Sequence, residues 1–268
     1  ALLKDRGYFY FNPDYLIFRI DTLASGGNTF NLQLSLKNDV PAEALKPFYI
    51  GQVSVDQHYT LQSSSIKDTT TYNQKSYISD LNGKPIRPSV LQRALFMNEH
   101  ELYTRQNHQL TLNRLMSMGN FRFVQVHFTE TDSNRLNADI RLTPLPLNTL
   151  RAEMDLVTKS NNYTGPRMNV SLLNRNTFGG SELLKLNLAG GFEAQLNRLN
   201  ENLFSYSFNP QIELIFPRLL APFRVPATNR LYTPQTRIVL SYNFMQRMDY
   251  FDLRNVQFNY GYKWRKDI

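Results

Sequence analysis

The 268 residues are 41% hydrophobic and 19% charged, which excludes a disordered tail and leaves room for two or three modules, each with its own core. The absence of Cys excludes a disulfide framework and a thiolate metal site. The net charge of +8 comes from scattered Lys and Arg without a dense basic run, so nucleic acid is not an expected partner.

Eighteen Phe, fifteen Tyr and one Trp suit strands and membrane interfaces. No stretch approaches the roughly 20 consecutive apolar residues of a membrane-spanning helix. The opening run Ala1-Leu2-Leu3-Lys4-Asp5-Arg6-Gly7 reads as the end of a helix rather than as a signal peptide. It predicts a chain that continues upstream.

After Gly7 and the turn signal Asn12-Pro13-Asp14, residues 15–22 alternate, with Leu16, Phe18 and Ile20 on one side. A turn at Gly26, Gly27 and Asn28 leads to residues 29–37, where Phe30, Leu32, Leu34 and Leu36 alternate with polar residues. This predicts a hairpin with one buried face, the back half of a small α+β module over residues 1–40.

Residues 47–144 read as strand, helix, helix, strand, strand. The first strand spans residues 49–55, and the polar, Ser- and Thr-rich residues 57–85 are expected to form a long loop or insertion. Pro88 opens a helix with Val90, Leu91, Ala94 and Leu95 on one face. Thr104 caps a second, with Leu112, Leu115 and Met116 apolar and a stop at Gly119. Residues 121–128 and 136–142 complete the module as strands.

The corner Thr111-Leu112-Asn113-Arg114-Leu115-Met116-Ser117-Met118-Gly119-Asn120-Phe121-Arg122-Phe123-Val124-Gln125-Val126, and its earlier counterpart Leu3-Lys4-Asp5-Arg6-Gly7-Tyr8-Phe9, resemble the helix-to-strand corner of POTRA domains. Recurrence of one corner within a chain is what tandem modules produce. POTRA domains are the periplasmic repeats of the Omp85 superfamily, which includes BamA-like and TamA-like insertion machines and two-partner secretion transporters.

From about residue 147 onward six segments alternate with period 2: residues 150–156, 167–172, 184–188, 204–216, 237–244 and 256–264. One face is apolar and aromatic, as in Val170, Leu186, Phe208, Leu240, Tyr260 and Trp264. The other is polar, as in Glu153, Asp155 and Glu213. A soluble sandwich would also alternate, with its apolar face turned inward. Strand length and terminal aromatics favour a membrane sheet. The run Asn174-Arg175-Asn176-Thr177-Phe178-Gly179-Gly180-Ser181-Glu182 is similar to an early hairpin of Omp85 barrels.

The resemblance implies α+β POTRA modules (β-α-α-β-β) followed by an antiparallel transmembrane β-barrel that is incomplete: part of one module over 1–40, a module over 47–144 with a polar insertion at 57–85, and about six barrel strands over 147–268. It implies a non-enzymatic role in outer-membrane protein assembly in a Gram-negative bacterium, with periplasmic N-terminal domains and no metal or cofactor. The implied partners are unfolded outer-membrane proteins, periplasmic or lipoprotein accessory subunits and outer-membrane lipid. The first barrel strand, with Leu150, Ala152, Met154 and Leu156, would be a lateral gate, and a POTRA strand edge at Phe121, Val124 and Val126 would receive substrate. A secretion pore and a soluble β-rich binding protein remain the rival readings. His58, His100, His108 and His127 form no HExxH pattern, and no nucleophile elbow or phosphate-cradling Gly-rich loop occurs.

Overall fold

The computed structural model describes residues 2–21, 31–60, 66–81, 83–131, 134–160, 162–195, 203–222 and 233–264. The expected turn at Gly26, Gly27 and Asn28, and Phe30, lie outside the described residues. Strands β1 (Leu16–Asp21) and β2 (Asn31–Leu36) form the expected antiparallel pair, with Phe18 opposite Leu34 and Ile20 opposite Leu32. The expected burial is not met. Phe18, Ile20, Leu32 and Leu34 are all more than half exposed, because no third layer among the described residues lies over this two-stranded sheet.

The second unit has a five-stranded sheet in the order β4-β5-β3-β7-β6. Its strands are β3 (Tyr49–Asp56), β4 (Lys67–Tyr72), β5 (Lys75–Asp80), β6 (Phe121–Thr131) and β7 (Arg135–Pro144). Helices α1 (Pro88–Leu91) and α2 (Arg105–Ser117) fall between β5 and β6. The strand-helix-helix-strand-strand order holds, with β3 parallel to β7 and β6 antiparallel to it. Ile50, Val53, Val55, Leu136, Ile140 and Leu142 point to one face and form a buried core with Leu91 and Leu115 from the helices.

The long loop expected over 57–85 is instead largely a β-hairpin. Asn73 and Gln74 both take positive φ, as a two-residue hairpin turn requires, and β5 pairs parallel to the outer edge of β3. Tyr77 is buried and donates its hydroxyl hydrogen to Gln92 Oε1 at 2.7 Å. Lys75 is buried and donates to Asn98 Oδ1 at 2.9 Å, and its pKa is lowered by burial. The segment was hidden from sequence reading because its β4 half is exposed throughout, so no apolar alternation marks it.

The helices are as expected in place but not in detail. Helix α1 is a single turn continued by a 3-10 turn over Gln92–Ala94. Thr104 caps α2, its Oγ1 accepting from Asn107 N at 3.2 Å. Of the apolar positions expected on α2, Leu115 is buried but Met116 is 45% exposed, and Leu110 and Met118 take its place in the interior.

The segment after Gly7 docks on this unit. Gly7 has φ +90 and a side chain there would strike Leu102, so only glycine suits the site. Asp5 Oδ1 accepts from Gln106 N at 2.9 Å, reinforcing the start of α2. The Phe9 ring packs on Tyr103 (4.9 Å between centroids) and Phe128 (5.1 Å), and His108 packs on Phe128 at 5.1 Å.

Burial, and secondarily the charge of Arg105, lower the pKa of His108. A depressed folded-state pKa means the unfolded chain takes up the proton first as pH falls below about 6.5. The neutral imidazole therefore stabilises the fold fully above that value, and the contribution is lost as pH drops toward the folded pKa. Urea unfolding between about pH 8 and pH 5 should show falling stability in the native chain. In His108→Phe the fall should be shallower.

The third unit is a six-stranded antiparallel meander in sequence order. It comprises β8 (Asn148–Thr158), β9 (Tyr163–Arg175), β10 (Leu183–Gln195), β11 (Leu203–Phe216), β12 (Gln235–Arg247) and β13 (Phe251–Lys263). All six expected strands are present. They are 11 to 14 residues long, enough for the roughly 9–11 residues that a tilted strand needs to cross a bilayer.

Candidate functional site

The register of the six-stranded sheet decides which side chains share a face, because a slip of one residue would invert a strand. It runs without a slip across all five pairings. Leu150 lies opposite Leu172, Leu172 opposite Leu186, Leu186 opposite Ile212, Ile212 opposite Leu240 and Leu240 opposite Phe258. Even-numbered residues therefore face one way throughout. Leu150, Ala152, Met154, Leu156, Val170, Leu186, Phe208, Leu240 and Tyr260 all lie on this face, and Trp264 follows β13 in the same phase.

This apolar face is the open one. Leu150 is 70% exposed, Met154 76% and Phe258 65%. The polar face is shielded on the middle strands, where Glu213 is 5% exposed and held by Arg237 Nε at 2.6 Å and Lys185 Nζ at 3.9 Å, and open on the outer strands β8 and β13. Glu193 is buried too and accepts from Lys159 Nζ at 2.6 Å. Asp155 sits opposite Arg167, and Arg151 pairs with Glu153. A soluble sandwich requires the reverse arrangement.

Both ends of the meander are edges: β8 pairs with β9 and β13 pairs with β12, and neither has a second partner among the described residues. Strand β6 is likewise an edge of the five-stranded sheet. Its expected contact residues point elsewhere, however. Phe121 is buried, and Val124 and Val126 pack on the core, so Phe123, Gln125 and His127 supply its outward side chains. Sequence alternation could not say which face of this strand was covered.

The nine-residue motif after β9 joins the two larger units. Asn176 is buried with φ +109. Its Nδ2 donates to the carbonyls of Lys84 (3.0 Å) and Pro85 (3.2 Å), while its Oδ1 accepts from Ser181 N at 3.0 Å. The buried Glu182 carboxylate accepts from Gly180 N at 2.8 Å and Phe178 N at 3.2 Å. Across the joint, Arg87 N donates to Gly179 O at 2.9 Å and Lys84 Nζ to Thr177 O at 2.8 Å. Ser181 Oγ donates to Asn120 Oδ1, and Arg87 approaches Glu182 at 3.7 Å. A Cβ on Gly180 would lie 2.3 Å from Glu182 Oε1 and 2.8 Å from Arg87 Nη2, so a side chain there would push both side-chain ends out of the joint. The motif was visible in the sequence; its partners Lys84, Arg87 and Asn120 were not, because they lie about 60 to 90 residues away.

The aromatic residues expected at strand ends gather on the same side as this joint. The hydroxyls of Tyr260 and Tyr262 both donate to the Leu220 carbonyl, the latter at 3.1 Å. No metal-holding cluster of His, Asp or Glu occurs among the described residues.

The fold so defined is a one-faced antiparallel sheet joined by hydrogen bonds to an α+β unit. No family model matches the chain. No curated protein matches it. Among solved structures it is similar to BamA from Haemophilus ducreyi lacking POTRA domains 1–3, with 11% identity, all of this chain and 51% of that one covered, and a TM-score of 0.42. It is also similar to CdiB from Acinetobacter baumannii (10% identity, 82% of this chain and 59% of that one, TM-score 0.31) and CdiB from Escherichia coli (10%, 84% and 57%, 0.33). The chain spans between half and three-fifths of the length of these structures. Likenesses this distant decide nothing about activity.

Loss of the Asn176 side chain orphans two carbonyls and one amide at once. Asn176→Ala should raise hydrogen-exchange rates of the peptides covering residues 84–87 and 174–182 by about tenfold. Exchange in the β3 and β7 core should stay unchanged. Equal acceleration everywhere would instead mean that the substitution unfolds the chain.

Proposed function

We propose that this chain is the junction of an Omp85-type outer-membrane assembly protein, with the six-stranded sheet as membrane-spanning wall and the five-stranded unit as a POTRA domain on its periplasmic side. The observation that carries the reading is the inside-out sheet: its apolar face is open, and its buried, ion-paired carboxylates lie on the other face. A bilayer is the solvent that suits such a sheet, since strands cross hydrocarbon with apolar side chains outward and a polar interior. Tyr260, Tyr262 and Trp264 at one end fit the interfacial belt. Their side of the sheet is the side on which the five-stranded unit sits, which suits a domain just outside the membrane.

The role in assembly follows from the edges. An unpaired strand edge offers a row of N–H and C=O groups to an incoming strand. In this reading β8 templates the strands of unfolded outer-membrane proteins into the bilayer, and the edge of β6 receives substrates or accessory subunits beforehand.

Trp264 is the only Trp in the chain, so its fluorescence reports one place. In phosphatidylcholine vesicles its emission should shift to the blue and be quenched by lipids brominated near the headgroup. Emission insensitive to brominated lipid would sink the membrane assignment. Templating is checked separately with a photo-crosslinking residue in place of Ala152 on β8. It should capture unfolded outer-membrane barrel chains, while the same residue in place of Val170 on β9 should not. Equal capture at both, or capture only of a secreted non-barrel chain, would overturn the assembly role, the second outcome favouring a secretion pore.

A further inference from the structure

Beside the joint, on the face of the α+β unit turned toward the sheet, lies a cleft of about 300 Å³. Five segments distant in sequence build its wall. Arg87 and Arg93 flank α1, Arg114 comes from the last turn of α2, and Arg218 follows β11. Glu182 is the one acid among the lining residues. Its carboxylate accepts from two backbone N–H groups of its own turn and lies 3.7 Å from Arg87, so it offsets one of the four arginines and the cleft keeps a net positive charge.

Arg87, Arg93 and Arg218 are exposed and Arg114 is half-buried, so the last is the guanidinium for which like-charge neighbours and partial dehydration cost most. Arg114 carries the clearest sign of a missing partner: its Nη1 is buried and makes no hydrogen bond among the described residues. A buried guanidinium donor left unpaired is costly. Burial also lowers the pKa of this group, in keeping with a cation held away from water. The wall is not loose. Ser117 Oγ and Thr233 Oγ1 meet at 2.7 Å, tying the end of α2 to the chain entering β12, and Thr236 Oγ1 binds both Arg218 O and Leu220 N at 2.8 Å.

We propose that this cleft is a binding site for a phosphate group, with Arg114 and Arg218 as its principal ligands and Arg93 at its mouth. Phosphate fits because its oxygens accept the paired N–H groups of guanidinium in a fork. Its position favours a phosphodiester in a lipid headgroup. The cleft lies at the end of the sheet that carries Tyr260, Tyr262 and Trp264, with apolar Pro217 and Leu219 in its lining. That choice of source rests on the membrane reading above; the anion site itself does not.

The test is calorimetric titration of the full chain in a non-ionic detergent with two probes, inorganic phosphate and dihexanoyl phosphatidylglycerol. The expected result is saturable binding of a phosphate-bearing probe that weakens about tenfold in Arg114→Gln and again in Arg218→Gln. Arg19→Gln/Arg135→Gln, which removes the same charge away from the cleft, should bind as the native chain does. Preference for the phosphatidylglycerol assigns the site to lipid, and equal binding of inorganic phosphate assigns it to free phosphate; both support the site. Binding of neither probe to the native chain overturns it. So does equal weakening by the distant pair, which would reduce the effect to net charge. Far-UV circular dichroism of each variant separates lost ligands from lost fold. The Trp264 quenching experiment can fail while phosphate still binds, so the two inferences fall separately.

Discussion

The constraint on which the larger sheet depends is the unbroken register of its six strands. Side chains on a strand alternate with period 2, so a single extra residue in any strand would carry its leucines and phenylalanines to the face of Glu213 and Lys185. Because no pairing slips, six separately modest stripes add up to one continuous apolar surface. The same alignment brings Arg237 and Lys185 to either side of Glu213. A carboxylate within a sheet needs such neighbours, since an unpaired one would be strongly unfavourable. The buried carboxylates of the polar face are thereby paired within the sheet, and the apolar face is what remains for the surroundings.

A surface of this kind transmits orientation only if it is held firmly to the rest of the chain. The turn between β9 and β10 does this with backbone and side-chain hydrogen bonds. Asn176, Ser181 and Glu182 fix the turn from inside, and Lys84, Arg87 and Asn120 grip it from outside. Hydrogen bonds of defined direction set an angle more tightly than interchangeable hydrophobic contacts. The α+β unit is accordingly held at a set inclination to the strands.

What could be read from the sequence follows from how local each signal is. The six long strands were legible because every stripe, from Leu150–Leu156 to Val256–Trp264, repeats within its own segment. The cap at Thr104 and the stop at Gly119 were legible for the same reason. The hairpin of β4 and β5 was not, since Lys67–Tyr72 is exposed on both faces and its Ser and Thr content resembles a loop. The exposed face of the β1–β2 pair was misjudged because alternation reports that a face is apolar, not that anything covers it. The arginine cleft was beyond reach, since Arg87, Arg93, Arg114 and Arg218 become neighbours only through the fold.

The β4–β5 hairpin has a further consequence. By lying alongside β3 it closes the one border of the five-stranded sheet at which a visiting chain would run parallel to β3. It also replaces that border with Lys67, Asp68 and three threonines in succession, side chains poorly suited to adhesion. At the opposite border, β6, a strand added antiparallel would run in the direction of β7 and β3. The hairpin thus makes the two borders chemically unlike, a polar and fully exposed one at β4 and one at β6 whose Val124 and Val126 pack on the core.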